Sequence, residues 1–413
     1  MDKLAVAGGK PVREKPFHPR ILFDDKEREA VLNVIERTMT GPEAIDLYGA
    51  GPEVEAYKQE FAAFFRVKFA TPTTSGTAAV HAALGSLRLD PGTEVITSPI
   101  TDPGTVAPIL MQNCIPIFAD VDYETLNITA ASVEKKITKK TKVIIPVHLA
   151  GQPCDMDPIM ELANRHNLIV IEDCAQAHGA KYNGRYVGSI GHLSAFSLMA
   201  GKHTTSGGQG GMVVTNDEEL YWNAKRFADR GKPFNSDDPT NLFLGMNYRM
   251  TELQAAIGRV QLRKLRSRVD RRRMILEKLK KAMQGLKAFR LWKSIDGAEP
   301  NPWFCFLHYD SAKMKVDKEQ CAKAVAAEGI PVGAHYTTVM YEQTWIRHKN
   351  TYGNSHCPWS CPFGRYIDYG GTCPNAERAL RNHMTLYFHE GWGDKEVEDT
   401  VAALQKIERH YLR

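Results

Sequence analysis

The stretch Leu168-Ile-Val-Ile-Glu-Asp173-Cys-Ala-Gln176-Ala-His178-Gly179, followed further on by Phe196-Ser197-Leu-Met-Ala-Gly-Lys202, decides how the rest of the chain is read. Its first half is an apolar, β-branched run closing on two acids, the pattern of a buried strand with a polar end. Similar short runs stand at Glu94 to Thr97, Ile115 to Ala119, Val143 to Val147 and Met212 to Thr215, with helical patterns such as Pro158 to His166 between them. Alternation of this kind predicts an α/β fold with a mostly parallel sheet between helices.

Downstream, Thr251-Glu252-Leu253-Gln254 has the form of a capping box and opens a long helix expected to link a large domain to a smaller C-terminal one. Strand-like pieces follow near Phe304 to His308 and Leu386 to Phe388, and an amphipathic helix from about Asp394 to Ile407 closes the chain. The expected division is an N-terminal segment over 1–25, a large domain over 26–265 and a small domain over 266–413.

At 413 residues, with 43% hydrophobic and 24% charged, the chain is long enough for two packed domains. Lys and Arg exceed Asp and Glu by 53 to 48, and much of the +5 excess lies between Arg263 and Lys281. There Leu262, Leu265, Val269, Leu276, Leu279 and Met283 recur at helical steps, so the stretch reads as an amphipathic helix with a solvated basic face. Without interleaved aromatic residues it does not suggest nucleic-acid binding. No run approaches the roughly 18 apolar residues of a membrane span, and Met1 to Lys15 lacks an apolar signal core, so a cytoplasmic location is expected. Eight cysteines in such a chain are expected as reduced thiols, mostly core filler.

Asp173 at a strand end is suited to pair with a pyridinium nitrogen and keep it protonated, and a lysine in a following loop, Lys202, suits a Schiff base with an aldehyde cofactor. Upstream, Thr74-Ser75-Gly76-Thr77-Ala78-Ala79 leads into an apolar helix. This segment reads either as an ordinary N-cap or as a phosphate site at a helix N-terminus.

With these motifs, with the glycine run Gly207 to Gly211, Asn247-Tyr-Arg249-Met, Val147-His-Leu-Ala-Gly-Gln-Pro, Gly51-Pro-Glu-Val-Glu and Gly329-Ile-Pro-Val-Gly-Ala-His335-Tyr336, the chain resembles the DegT/DnrJ/EryC1/StrS aminotransferases. The resemblance implies a fold-type I, pyridoxal 5'-phosphate (PLP) dependent enzyme with a seven-stranded sheet, a small α+β domain and a homodimer with shared active sites. It implies Lys202 as Schiff-base lysine and general base, Asp173 on the ring nitrogen and Gln176 on the ring hydroxyl. Ser75, Gly76, Thr77 and Ser197 would hold the phosphate, Asn247 would reach it from the neighbouring subunit, and His335 and Tyr336 would lie near substrate. Donor and acceptor would be glutamate or glutamine and a cyclic ketone, either a ketosugar, nucleotide-linked or not, or a ketocyclitol.

The chain also departs from that pattern. Where the family places an aromatic ring to stack on the cofactor, this sequence has Ile100-Thr-Asp102-Pro-Gly-Thr105. Asp102 either points at a polyhydroxylated substrate or caps the turn with Pro103-Gly104. Gln209 replaces an acid in the glycine run, and His192 follows Gly191. Alternatives are a dehydratase-like member of the same family and a PLP-binding regulator without turnover. His356, Cys357, Cys361 and Cys373 form a further cluster that reads as a packed loop, with a structural metal as the competing reading.

Overall fold

The computed structural model describes residues 3–41, 45 and 51–413, so the first two residues of the expected N-terminal segment lie outside the described residues. The main sheet contains β1 (Phe69–Thr73), β2 (Glu94–Thr97), β3 (Ile115–Phe118), β4 (Thr141–Ile145), β5 (Ile169–Asp173), β6 (Leu193–Ser197) and β7 (Gly211–Thr215). They lie side by side in the order β1-β7-β6-β5-β4-β2-β3. Only β7 runs against its neighbours; the pairs β2 with β3, β2 with β4, β4 with β5 and β5 with β6 are parallel. Every residue of β2, β3, β6 and β7 is buried, as a sheet covered by helices on both faces requires.

Two helices bring their first turns to the C-terminal edge of this sheet. Gly76–Gly85 starts where the Ser75 hydroxyl accepts the Ala78 N–H, and its small residues Ala78, Ala79, Ala82 and Ala83 let it lie buried against the strands. Pro103–Met111 starts at Asp102, whose carboxylate accepts the Gly104 N–H, with Pro103 in the first helical position, where its missing N–H costs nothing. In register, Asp173 at the end of β5 lies opposite Ala195 of β6, and Ser197 of β6 lies opposite Gly211 of β7. Acid, serine and helix start therefore meet on one edge, where parallel sheets present their ligands.

The capping box at Thr251 and Gln254 opens one unbroken helix, Glu252–Ala282. Its 31 residues span about 46 Å. The boundary expected after 265 thus falls inside a helix whose later turns pack on the closing helix Asp394–Tyr411. The small domain is a four-stranded antiparallel sheet in the order Phe289–Leu291, Cys305–Tyr309, His383–Leu386, Val332–Gly333. The N-terminal segment is fastened to it: Ala5 N and Val12 N donate to the Glu328 carboxylate at 2.9 and 3.0 Å, and Arg13 pairs with Asp399 and Glu396. Among the described residues no helix is long and apolar enough to cross a membrane.

Three sequence expectations are corrected. The basic face of the long helix is not all solvated: Arg268 and Arg272 are buried, because irregular loops packed against the helix expose carbonyls that need donors. Arg268 donates to the carbonyls of Leu22 and His203, and Arg272 to that of Pro302 and to the Glu390 carboxylate. Not all cysteines are thiols, since Cys357 and Cys361 form a disulfide, while the other six are buried. That bond joins two of the proposed metal ligands to each other, and Cys373 instead sits against the Phe118 carbonyl. Finally, the strand expected at Leu386 to Phe388 is His383–Leu386, with the Phe388 carbonyl facing Arg272.

Candidate active site

A cavity of about 290 Å³ opens at the C-terminal edge of the sheet, and Lys202 and Asp173 both line it, as do Ser75, Gly76, Thr77, Gln176, Ser197 and Asp102. Asp173 is fixed through its backbone, its N–H donating to the Pro146 carbonyl and its own carbonyl accepting the His148 N–H. Its carboxylate accepts from the Thr105 hydroxyl at 2.7 Å and the Ala175 N–H at 3.0 Å. Burial nonetheless pushes its pKa above the usual carboxylate value.

Lys202 sits in the turn after β6, with its N–H donating to the Met199 carbonyl. Its own carbonyl accepts from Arg20, which also pairs with Glu390. Burial pushes the amine down to about 8, against the opposing pull of Asp173 and Asp102. Neighbouring His203 points elsewhere, its Nε2 against the Asn301 carbonyl. Gln176 accepts the Ala150 N–H with its oxygen and donates from its nitrogen to the Tyr336 hydroxyl at 2.7 Å. Tyr336 thus reaches the cavity wall through Gln176.

The Gly76–Gly85 helix presents the Gly76 and Thr77 N–H groups, which donate to no partner among the described residues. A Cβ on Gly76 would stand 2.6 Å from that of Ser197, so only glycine lets the helix start approach the strand end this closely. Asp102 caps Gly104, as one of its two readings expected, and also stands in the cavity lining. His335 is not brought into the cavity; its side chain is exposed and lies 3.2 Å from Glu319. Asn247 is exposed and outside the cavity, with its backbone bridged to Asp229.

Cavity residues with no sequence signal of their own include Val80, Thr101, Thr105, Met199 and Trp303. The two threonines stand four residues apart in the segment quoted for Asp102, hydroxyl to hydroxyl at 2.7 Å, so that spacing could have suggested them. Beneath the site, buried His148, Glu172 and Cys174 bring potential metal-ligating atoms within 4.8 Å of one another. Both His148 nitrogens are already bonded, to Glu172 and to the Cys154 N–H, and Glu172 also accepts the Gly188, Ile190 and Gly191 N–H groups. These bonds make the group a bracing network for the end of β5.

The model of the DegT/DnrJ/EryC1/StrS aminotransferase family matches residues 35–405. GDP-perosamine synthase of Escherichia coli O157:H7 is 40% identical over 261 residues, 63% of this chain and 69% of that protein. Spore coat polysaccharide biosynthesis protein SpsC of Bacillus subtilis (strain 168) is 32% identical over 375 residues, 86% of this chain and 90% of that protein. The X-ray structure of the aminotransferase from Psychrobacter cryohalolentis superposes with a TM-score of 0.84 at 31% identity, covering 96% of this chain and 99% of that one. The fold and the site define an aminotransferase of the α/β type with a mostly parallel central sheet. The chain belongs to the DegT/DnrJ/EryC1/StrS aminotransferase family.

Proposed function

We propose that this chain moves an amino group from glutamate or glutamine to the ketone of a cyclic, polyhydroxylated acceptor, a ketosugar ahead of a ketocyclitol. The observation that carries the reading is that one cavity holds a buried amine, a buried carboxylate and a helix start with unpaired N–H groups. The relative named for a GDP-linked product supports a nucleotide-linked sugar as acceptor.

These residues fit PLP. Gly76, Thr77, Ser75 and Ser197 offer N–H and hydroxyl donors at a helix N-terminus, the donor set a phosphate dianion needs. Asp173, a buried carboxyl that makes no ion pair among the described residues, would hold a proton on the ring nitrogen, and the Gln176 amide can donate to a ring hydroxyl. When bound, PLP supplies an electron sink that stabilises negative charge at the carbon bearing the amine. Lys202 would move the proton between carbons, and an amine lowered to about 8 has a useful fraction of free base near neutrality. An amine at 202, with His203 turned away, favours transamination over the dehydratase reading. Thr105 and Ala175 hold Asp173 in place. The exposed Asn247 supports a homodimer in which a second copy of this chain receives it.

The test is to incubate purified protein with glutamate or glutamine and a panel of nucleotide-linked ketosugars, free ketosugars and inososes, and to identify the aminated product by mass spectrometry. Borohydride reduction followed by peptide mapping should label Lys202. A label on another lysine, or PLP binding without amination of any cyclic ketone, would overturn the reading.

A further inference from the structure

Among the described residues the Lys202 ammonium makes no hydrogen bond and no ion pair, although two carboxylates share its cavity. Its partner is an aromatic face: Nζ lies 3.4 Å from the centroid of the Trp303 ring. Trp303 is the one aromatic side chain among the described residues lining this cavity. The indole is held on several sides. Its Nε1 donates to the Gly201 carbonyl at 2.8 Å, its backbone N–H donates to the Ala150 carbonyl at 3.0 Å, and its carbonyl accepts from Arg272. Gly201 immediately precedes Lys202, so ring and amine are tied to the same turn.

A lysine that shuttles protons must be free for part of each turnover, and it then needs a seat. A carboxylate seat would hold the ammonium tightly and neutralise the anion that the ring nitrogen requires. An aromatic face attracts the cation through its quadrupole, offers no lone pair, and holds it more weakly. We propose that Trp303 is a positioning residue whose indole face seats the free Lys202 amine, keeping it beside the reacting centre and out of a salt bridge with Asp173. This rests on the reading of Lys202 as the catalytic amine.

The test uses the full-length chain freed of cofactor. Lys202 is trace-labelled with acetic anhydride from pH 6 to pH 10 and quantified by peptide mass spectrometry in wild type, Trp303→Phe and Trp303→Leu. The other charged or titratable groups around the amine, namely Asp173 on the strand end, Asp102 on the helix cap, His178, Arg20 and His203, are unchanged among these proteins. Losing the aromatic face should lower the labelling midpoint by about half a unit to one unit, so that below both midpoints Trp303→Leu is labelled about three- to tenfold faster, with Trp303→Phe between. A midpoint in Trp303→Leu equal to that of wild type would overturn the proposal. Should Trp303→Leu fail to fold by circular dichroism, indole emission decides: wild type should show a pH-dependent change with the labelling midpoint that is absent in Lys202→Met, and its presence in both proteins would overturn the proposal. Borohydride mapping of the loaded enzyme tests Lys202 separately, so the two ideas can fail independently.

Discussion

Asp102 and Thr105 belong to one helix start, Asp102 as its cap and Thr105 in its first turn, and they face different partners. Asp102 spends one oxygen on the Gly104 N–H and turns its charge to the cavity, where it can accept hydroxyls of a polyol ring. Asp102→Asn keeps an oxygen for the cap but removes the charge. It should slow the half-reaction with the cyclic acceptor while leaving that with glutamate or glutamine largely intact, as stopped-flow absorbance on each half-reaction would show. Equal loss in both would move Asp102 to the framework of the loop. Thr105 bonds the carboxylate of Asp173 directly. Thr105→Val should leave that carboxylate on the Ala175 N–H alone, removing a bond to a charged group worth about 1.5–3 kcal/mol. PLP affinity measured by equilibrium dialysis should fall by roughly tenfold or more.

At the level of elements, the lysine turn is braced from below by Arg20, Arg268 and Arg272 gathered around the single carboxylate of Glu390. Burial would raise the Glu390 pKa, yet Arg272 and Arg20 outweigh it and hold the group at about 2. A carboxyl depressed below its unfolded value stabilises the fold fully above that value, near 4.5, and the contribution is lost as pH falls toward 2. A drop from 4.5 to about 2 corresponds to a contribution on the order of 3 kcal/mol. Wild type should therefore lose stability steeply between about pH 4.5 and pH 2 in urea titrations, and Glu390→Gln should flatten that slope. Arg272→Leu leaves Glu390 with less compensation and the Pro302 carbonyl without this donor. Removing one partner of a buried pair costs about 3–5 kcal/mol, which chemical denaturation would detect. An unchanged midpoint would mean that the loops, and not the arginine, carry the brace.

Across the whole molecule, the cavity of one chain holds an amine, a carboxylate and a helix start, whereas Asn247 stands exposed outside it. If a second copy receives Asn247, each site is built from two chains. Mixing Lys202→Ala with Asn247→Ala chains should then restore up to about a quarter of wild-type activity, since one of the two sites in each heterodimer keeps both residues and random pairing makes half the dimers heterodimers. No rescue, with heterodimers shown by native mass spectrometry, would count against the shared site.

The sequence by itself determined the class of fold, because a fully buried parallel strand must be apolar on both faces and a period of that kind is visible in the residues. It also marked Asp173 and Lys202, whose chemistry and spacing around one strand end are local facts. It marked Ser75 as a candidate helix start and Asp102 as a candidate turn cap, since a cap acts within a few residues of itself. Tertiary structure alone decided what lies opposite them. Trp303 reaches Lys202 from a segment some hundred residues downstream, Arg20 reaches it from near the N-terminus, and the helix whose basic face was read as solvated buries two of its arginines. His335 turned outward to Glu319, and Cys357 found Cys361. Periodicity records which face of an element is buried; it carries no record of which distant carbonyl or cation meets that face, because that depends on how the domains dock.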